Sequence, residues 1–472
     1  MNEQMSVEEK IYSMDQSFRD SVATIDKEGH RKFIFPKQPS GRYYNWRTLT
    51  SLVFLLVFFA VPFIKIEGEP FMLFNVLERK FILFGKIFWP QDFFIFAIGL
   101  ITFIVFIILF TVVFGRLFCG WVCPQTNFME MVFRKVEYWI DGDATKQMQL
   151  KAMPWNGEKI RKRALKMAAF YSIAFVIANF FLAYLIGMDE VLKMVTEGIG
   201  NNTGTFFSLI GFTTVFFFVY YWFREQACIV VCPYGRLQGV LLDKNSVVVA
   251  YDYVRGEPRG KMKKGEVAEG HGDCIDCFAC VRVCPTGIDI RNGTQLECVN
   301  CTACMDACDA IMDNIGKPRG LIRYASENNI ARKEPTRFTW RMALYSGVLL
   351  LLVVVLATLL ITRDDVDARI LRAQGQTFQN LPDGRVANLF NVKLANKTRK
   401  ELPLTLKLEN VDGEIQLIQE IVVPKESYFQ TSFFVKLNRS AITKRKMPLE
   451  IGVYQNGKRI QKRTTTFLAP SM

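Results

Sequence analysis

Eight of the twelve cysteines fall between Asp273 and Ala310, in the stretch DCIDCFACVRVCPTGIDIRNGTQLECVNCTACMDACDA. Cys274, Cys277, Cys280 and Cys284 follow C-x2-C-x2-C-x3-C-P. Cys298, Cys301, Cys304 and Cys308 repeat that phase with Asp309 in place of the proline. Thiolates are the ligands that iron–sulfur clusters require, and in two-cluster ferredoxins the fourth cysteine of each run reaches the other cluster. The spacing therefore predicts one [4Fe–4S] centre held by Cys274, Cys277, Cys280 and Cys308, and a second held by Cys298, Cys301, Cys304 and Cys284. Zinc also takes four thiolates, but zinc motifs pair two C-x2-C knuckles across a longer gap and have no need of this phase twice. Two adjacent clusters without an open coordination position imply one-electron relay. Asp309 puts a carboxylate beside one of them, which favours its oxidised state.

The remaining cysteines form two matching pairs, Cys119 and Cys123 in CGWVCP, and Cys228 and Cys232 in CIVVCP. Residues four apart share a helix face, and the residue before a proline is biased out of the helical region. Cys123 and Cys232 are thus expected where a helix stops. Two converging soft sulfurs suit a soft ion, and thiolate selects Cu(I) over harder metals. Met129 and Met131 follow the first pair as candidate thioether donors, against the plainer reading that they pack a helix. Other redox groups find no ligands. There are two histidines, His30 and His271, neither in an apolar run, and there is no C-x-x-C-H for covalent haem. The glycine cluster GIGNNTG (Gly198–Gly204) does not match a dinucleotide fingerprint. Electrons must come from a partner or from quinol.

These residues need a scaffold, and the composition indicates a membrane one. The 472 residues are 50% hydrophobic, and a bilayer core of roughly 30 Å takes about 20 apolar residues in a helix. Five runs qualify: Leu49–Ile64, with Pro62 expected to kink or end it, then Phe93–Phe114, Ala164–Ile186, Thr205–Phe223 and Thr339–Ile361. The polar start before Leu49 lacks the pattern of a cleavable signal peptide, so the N-terminus is expected in the cytoplasm. The net charge of +14 is not that of a nucleic-acid binder. Its basic residues gather before the first run, between the second and third (EKIRKRALK, Glu158–Lys166), and between the fourth and fifth. The positive-inside rule then gives N-terminus in, five spans and C-terminus out. All twelve cysteines lie on the cytoplasmic side, where thiols stay reduced, and disulfides are not expected. FGRLFCGWVCP (Phe114–Pro124) and FREQACIVVCP (Phe223–Pro233) align as F-x4-C-x3-C-P, each closing an out-and-back pair of spans. The first four spans read as a duplication.

The fold expected is a multi-domain membrane protein. A cytoplasmic segment covers residues 1–48, four spans in two repeats cover 49–223, a ferredoxin-like insert covers 224–338, and the fifth span covers 339–361. From 362 to 472 the pattern turns to short alternating strands: Ala387–Asn396, Leu402–Asn410, Ile415–Val423, Tyr428–Leu437, and a hairpin about Asn456-Gly457. About seven such strands predict an immunoglobulin-like β-sandwich without the disulfide, serving as a docking module or a stabilising cap.

The run Cys274–Asn328, FWPQDF (Phe88–Phe93), both C-x3-C-P pairs, five spans and the terminal β domain closely resemble the CcoG/FixG/RdxA family. These are cytochrome c oxidase accessory proteins that assist assembly of cbb3-type oxidases. Relatives in that family also end the second run in Cys-Asp, as Asp309 does here. The resemblance implies a multi-pass protein of the bacterial inner membrane that reduces Cu(II) to Cu(I) for the oxidase. It carries two [4Fe–4S] clusters on the eight cysteines above, with Cys119, Cys123, Cys228 and Cys232 as copper or redox sites. The implied partners are the lipid bilayer and oxidase subunits or a copper chaperone or transporter; the electron donor is left open. Two other readings stand beside it. One is a quinol dehydrogenase like the NapH-type membrane ferredoxins, which share C-x3-C-P but lack the outer β domain. The other is a non-catalytic assembly scaffold.

Overall fold

The computed structural model describes residues 24–25, 28–76, 80–88, 92–196, 203–261, 270–335, 339–373, 375 and 377–470. Most of the N-terminal segment, residues 89–91 of FWPQDF and residues 198–202 of GIGNNTG lie outside the described residues. The chain divides into two compact units, Met1–Phe63 with Ile98–Val354, and Ile64–Ala97 with Val355–Met472.

Among the described residues five helices are long and apolar enough to cross a membrane. They are α1 (Arg42–Ala60), α2 (Phe93–Phe114), α3 (Gly157–Ile186), α4 (Thr203–Phe218, whose span Phe206–Phe223 includes the π-helical turn that continues it) and α5 (Trp340–Ile361). The first begins at Arg42 and not at Leu49, because Arg47 and Ser51 on its early turns are buried against protein. An apolar-run criterion stops at residues of that kind. Pro62 sits in the 3-10 turn Val61–Phe63 that ends it, as a residue without an amide proton should. Likewise α3 starts ahead of Ala164, where the Asn156 side chain accepts a hydrogen bond from the Lys159 amide at 2.9 Å.

In the first unit an aromatic core joins α1, α3 and α4. Phe133 stacks on Tyr220 with centroids 4.5 Å apart, and Phe170 meets Phe133 edge-on. Beside this core lies a buried ion network. Glu137 takes Lys166 and Arg224, Lys166 also reaches Asp141 at 2.8 Å, and Arg134 pairs with Glu130 at 3.1 Å and Glu225 at 3.4 Å. Among the described residues the π-helical turns Phe128–Phe133 and Val219–Phe223 lie beside the C-x3-C-P segments, and Ala227–Val231 carries Cys228 of the second. Such turns are rare and favour functional sites.

The insert pairs strands Val248–Tyr251 and Ile322–Ala325 antiparallel, with short helix Ala279–Arg282 and helix Ala303–Ile315 each opening one residue before the third cysteine of its run. Its core holds Tyr251, Ile288, Met305, Met312 and Leu321.

The second unit is the immunoglobulin-like sandwich with the segment that follows α1. One sheet runs Gly413–Leu417, Tyr428–Leu437, Val386–Asn396 and Val366–Arg372; the other runs Thr405–Leu408, Lys446–Gln455 and Lys458–Leu468. The hairpin turn sits at Asn456 and Gly457, both at positive φ, as its Asn-Gly pair requires. The run expected as one strand over Leu402–Asn410 is two. Leu402–Pro403 pairs with Val422–Val423, and Thr405–Leu408 then crosses to Lys446–Gln455. Pro403 lacks the amide to continue a ladder. Three charged contacts hold the post-α1 segment on this sandwich. Lys80 sits between Glu69 (3.0 Å) and Glu426 (2.7 Å), Asp92 receives Arg363 and Lys397 at 2.6 Å each, and Arg399 reaches Glu67 at 2.9 Å.

Candidate iron–sulfur and thiol centres

The two cysteine runs fold alike because the backbone makes the same two unusual turns in each. Asp276 and Phe278 take positive φ (55° and 56°), as do Asn300 and Thr302 (53° and 63°) at the matching places. Asp and Asn tolerate this region. Phe and Thr do not favour it, so the strain at Phe278 and Thr302 is imposed by the loop. Alternating right- and left-handed residues turn successive amides inward and form the concave nest that anionic clusters occupy.

Each nest faces a pocket with about 350 Å³ of empty space, part of it open to solvent. One is lined by Cys274, Cys277, Cys280 and Cys308 with Tyr251 and Arg291. The other is lined by Cys284, Cys298, Cys301 and Cys304, with Cys280 on the shared wall. Thiols spread around a volume suit a cubane, which takes one thiolate per iron. Among the described residues no three His, Cys, Asp or Glu side chains close on a single-ion position. All twelve thiols are free.

The C-x3-C-P pairs stop their helices where the prolines dictate. Cys123 (φ −56°, ψ 126°) and Cys232 (φ −66°, ψ 108°) are extended, and Pro124 and Pro233 open the following helices. The duplication extends to the backbone: Gly115 (φ 57°) and Arg224 (φ 50°) occupy matching positions in the left-handed region. The pairs meet. Cys228 lies within electrostatic reach of Cys123, Cys119 and Cys232, and Cys119 within reach of Cys123 and Cys232. Burial pushes the Cys119 thiol up to about 11 and the Cys228 thiol up to about 12. Both are therefore protonated at neutral pH, and a metal that binds them must displace protons. Cys119 donates to Gln238 Oε1 at 2.9 Å.

The link between thiols and clusters is Gly120. A Cβ there would stand 2.5 Å from the Val299 carbonyl oxygen and 2.8 Å from that of Asn300. Those two residues lie between Cys298 and Cys301, so CGWVCP rests directly on the loop of the second cavity. Trp121 Nε1 donates to the Tyr324 hydroxyl at 3.2 Å across the same contact. Buried Arg47 donates from Nε to the Gly120 carbonyl at 2.7 Å, and Arg116 donates to the Leu296 carbonyl. On the other side, Cys228 shares a cavity with Thr126, Met129 and Glu130, and with Thr286 and Val299 of the insert. Met129 lines this cavity, while the Met131 sulfur accepts from Thr48 Oγ1 at 3.9 Å.

Asp306 locks the insert to the membrane helices. Its two carboxylate oxygens accept from the Tyr43 and Tyr44 amides at 3.0 and 2.7 Å, capping α1 in place of Gly41, which has no side chain to do so. A Cβ on Gly41 would overlap that carboxylate. Asp306, Arg47, Arg116 and Gly120 were not singled out by spacing. Only the glycine inside a cysteine motif offered a signal.

Residues 223–327 match a family model described as a 4Fe-4S dicluster domain, and residues 96–143 match one described as a 4Fe-4S binding domain. Residues 356–470 match the IG-like fold at the C-terminus of FixG. The chain is 36% identical over 395 residues to protein RdxB of Cereibacter sphaeroides, covering 78% of this chain and 80% of that protein. It is 34% identical over 422 residues to nitrogen fixation protein FixG of Rhizobium meliloti, covering 81% and 80%. It is also 34% identical over 394 residues to protein RdxA of Cereibacter sphaeroides, covering 80% and 83%. With a dicluster insert, five apolar helices and the FixG-type β domain in one chain, this protein belongs to the FixG/RdxA family of iron–sulfur membrane oxidoreductases.

Proposed function

We propose that the chain reduces Cu(II) to Cu(I) at the four C-x3-C-P thiols, with electrons relayed through its insert, and supplies the copper to a cbb3-type oxidase under assembly. The observation that carries this reading is the seat of Gly120 on Val299 and Asn300, which brings the soft-donor set against the wall of a cluster cavity. Cys274, Cys277, Cys280 and Cys308 would hold one cluster, and Cys284, Cys298, Cys301 and Cys304 the other. When bound, the clusters supply one-electron storage and transfer at low potential.

The chain's own residues do the rest. The nests fix the cluster thiols, and Asp306 fixes the insert on α1. The pairs Cys119 with Cys123 and Cys228 with Cys232 take up copper as thiolates, losing their protons, and thiolate ligation favours the Cu(I) product over Cu(II). Each Cu(II) consumes one electron, delivered in turn by a partner or a quinol. The insert and the thiols are assigned to the cytoplasmic side and the β domain to the outer face, where it can meet oxidase subunits or a copper carrier.

The test is anaerobic purification of the full chain, with iron, sulfide and copper analysis and a Cu(II)-reduction assay on the same sample. Iron and sulfide for two cubanes and steady reduction are expected; Cys119→Ser with Cys228→Ser should abolish reduction and leave the cluster EPR signals intact. Reduction that persists in the double variant removes the thiols as the site. Quinol-dependent cluster reduction with no response to copper would favour a quinol dehydrogenase instead.

A further inference from the structure

We propose that Arg47 and Arg116 set the direction of the relay, by making the Cys284/Cys298/Cys301/Cys304 centre the easier of the two to reduce. An electron entering at the Cys274/Cys277/Cys280/Cys308 centre is then drawn toward the membrane thiols. The inference rests on the two-cluster reading above. It concerns a step of one electron: one centre is oxidised by one as its neighbour is reduced by one, and no bond or proton changes.

The argument is a charge inventory. Arg47 is 1% and Arg116 3% exposed. Each bonds a backbone carbonyl, that of Gly120 for Arg47 and that of Leu296 for Arg116. Neither has a carboxylate partner among the described residues, and Arg47 Nη2 and Arg116 Nε are buried without a hydrogen-bond partner. Arg47 acts electrostatically on Cys301, and Arg116 acts on Cys298 and also on Cys119, to which it hydrogen-bonds. The nearby Glu130 is tied to Arg134 at 3.1 Å. Asp306, two residues beyond Cys304, spends both oxygens on the amides that open α1, whose partial positive charge offsets about half of it. The two buried positive charges of Arg47 and Arg116 outweigh the remainder.

The other centre is neutralised. Arg291, on its cavity wall, pairs with Asp276 at 2.5 Å and Asp289 at 2.6 Å. Arg255 and Lys317 share Asp273, at 2.5 and 2.8 Å. Asp309 adds a carboxylate, accepting from the Gly320 amide at 2.9 Å. Arg282 bonds the Cys277 carbonyl at 3.1 Å from an exposed position, where water screens its charge. Reduction adds a negative charge, and an uncompensated buried cation favours it more strongly than the same charge in water. Net charge around a cluster is among the determinants of its potential.

The test is a redox-poised EPR titration of the full chain, purified anaerobically and free of copper, with dithionite as reductant. Arg47→Gln and Arg116→Gln should each lower the higher of the two potentials by about tenfold in the one-electron equilibrium, which is about 59 mV, and leave the lower one in place. Arg47→Lys and Arg116→Lys should keep the wild-type value. Asn300→Asp, whose Oδ1 can keep the bond to the Val249 amide, adds the opposite charge in the same loop and should lower the same potential without relying on either arginine. Arg291→Gln should move the lower potential only. The proposal is overturned if the arginine and Asn300 variants move the lower potential or neither. Iron and sulfide analysis of each sample separates the two readings: missing cubane iron in the wild type sinks both, whereas intact clusters with unmoved potentials sink this one alone.

Discussion

Phe114–Pro124 and Phe223–Pro233 share F-x4-C-x3-C-P, a left-handed residue after the phenylalanine and a proline that opens the next helix. Their neighbours differ. The first segment has Gly115 and Gly120, and both rest on the insert: a Cβ on Gly115 would meet Val248 and the Val247 carbonyl, and one on Gly120 the Val299 carbonyl. The second has Arg224 and Ile229 at those places, and Arg224 turns into the buried ion network through Glu137. Arg116 and Glu225 also match in position and oppose in charge. One copy has become a docking surface for the cluster loop. The other has become a wall anchored to the helix bundle, with Cys228 left facing a cavity. The duplicated thiol pairs thus sit in two different settings.

The anchoring of the second copy gives the largest expected effect. Glu137→Gln leaves Lys166 and Arg224 without their shared carboxylate, and breaking a buried ion pair in this way costs about 3–5 kcal/mol. Burial alone would raise the Glu137 carboxyl, but Arg224, Lys166 and Arg134 outweigh it and hold it down to about 2, against an ordinary 4.5. A depressed carboxyl stabilises the fold above its unfolded value, so this contribution should be complete above about 4.5 and fade as pH falls toward about 2. Thermal unfolding in detergent across that window should show the loss in the wild type and a flatter response in Glu137→Gln.

Docking of the first copy comes next. Gly120→Val forces the CGWVCP loop off Val299, and a misplacement of about 1 Å can cost on the order of 100-fold in rate. Cu(II) reduction should fall by that order with iron content unchanged. Ile229→Ala at the matching place should change the rate far less. Equal effects at the two positions would erase the distinction between the copies.

The smallest effect is at the cap. Asp306→Ala should cost about 0.5–2 kcal/mol, as loss of a helix N-cap does, while Asp306→Asn should recover most of it. Hydrogen exchange at the Tyr43 and Tyr44 amides reports on this bond directly.

Spacing made much of this readable. Three cysteines of each C-x2-C-x2-C-x3-C run line one cavity and the fourth lines the other, the crossing that this phase makes in two-cluster ferredoxins. The Asn456-Gly457 hairpin and the five apolar runs were equally local. The start of α1 was not, because Arg47 is a charge in a span and is tolerated only by a carbonyl from a distant loop. The dock at Gly120 depends on a backbone contact, which has no residue signature beyond the absence of a side chain. Asp306 reads as a surface carboxylate until Gly41 is found beneath it.

The central claim is that electrons stored in the insert leave through the membrane-edge thiols. Full-length protein reduced anaerobically, freed of excess reductant and mixed with Cu(II), can be freeze-quenched and read by EPR. The account predicts that the reduced-cluster and Cu(II) signals decay together in the wild type. In Cys119→Ser with Cys228→Ser, both should persist. Cluster reoxidation at the wild-type rate in that double variant would contradict the account.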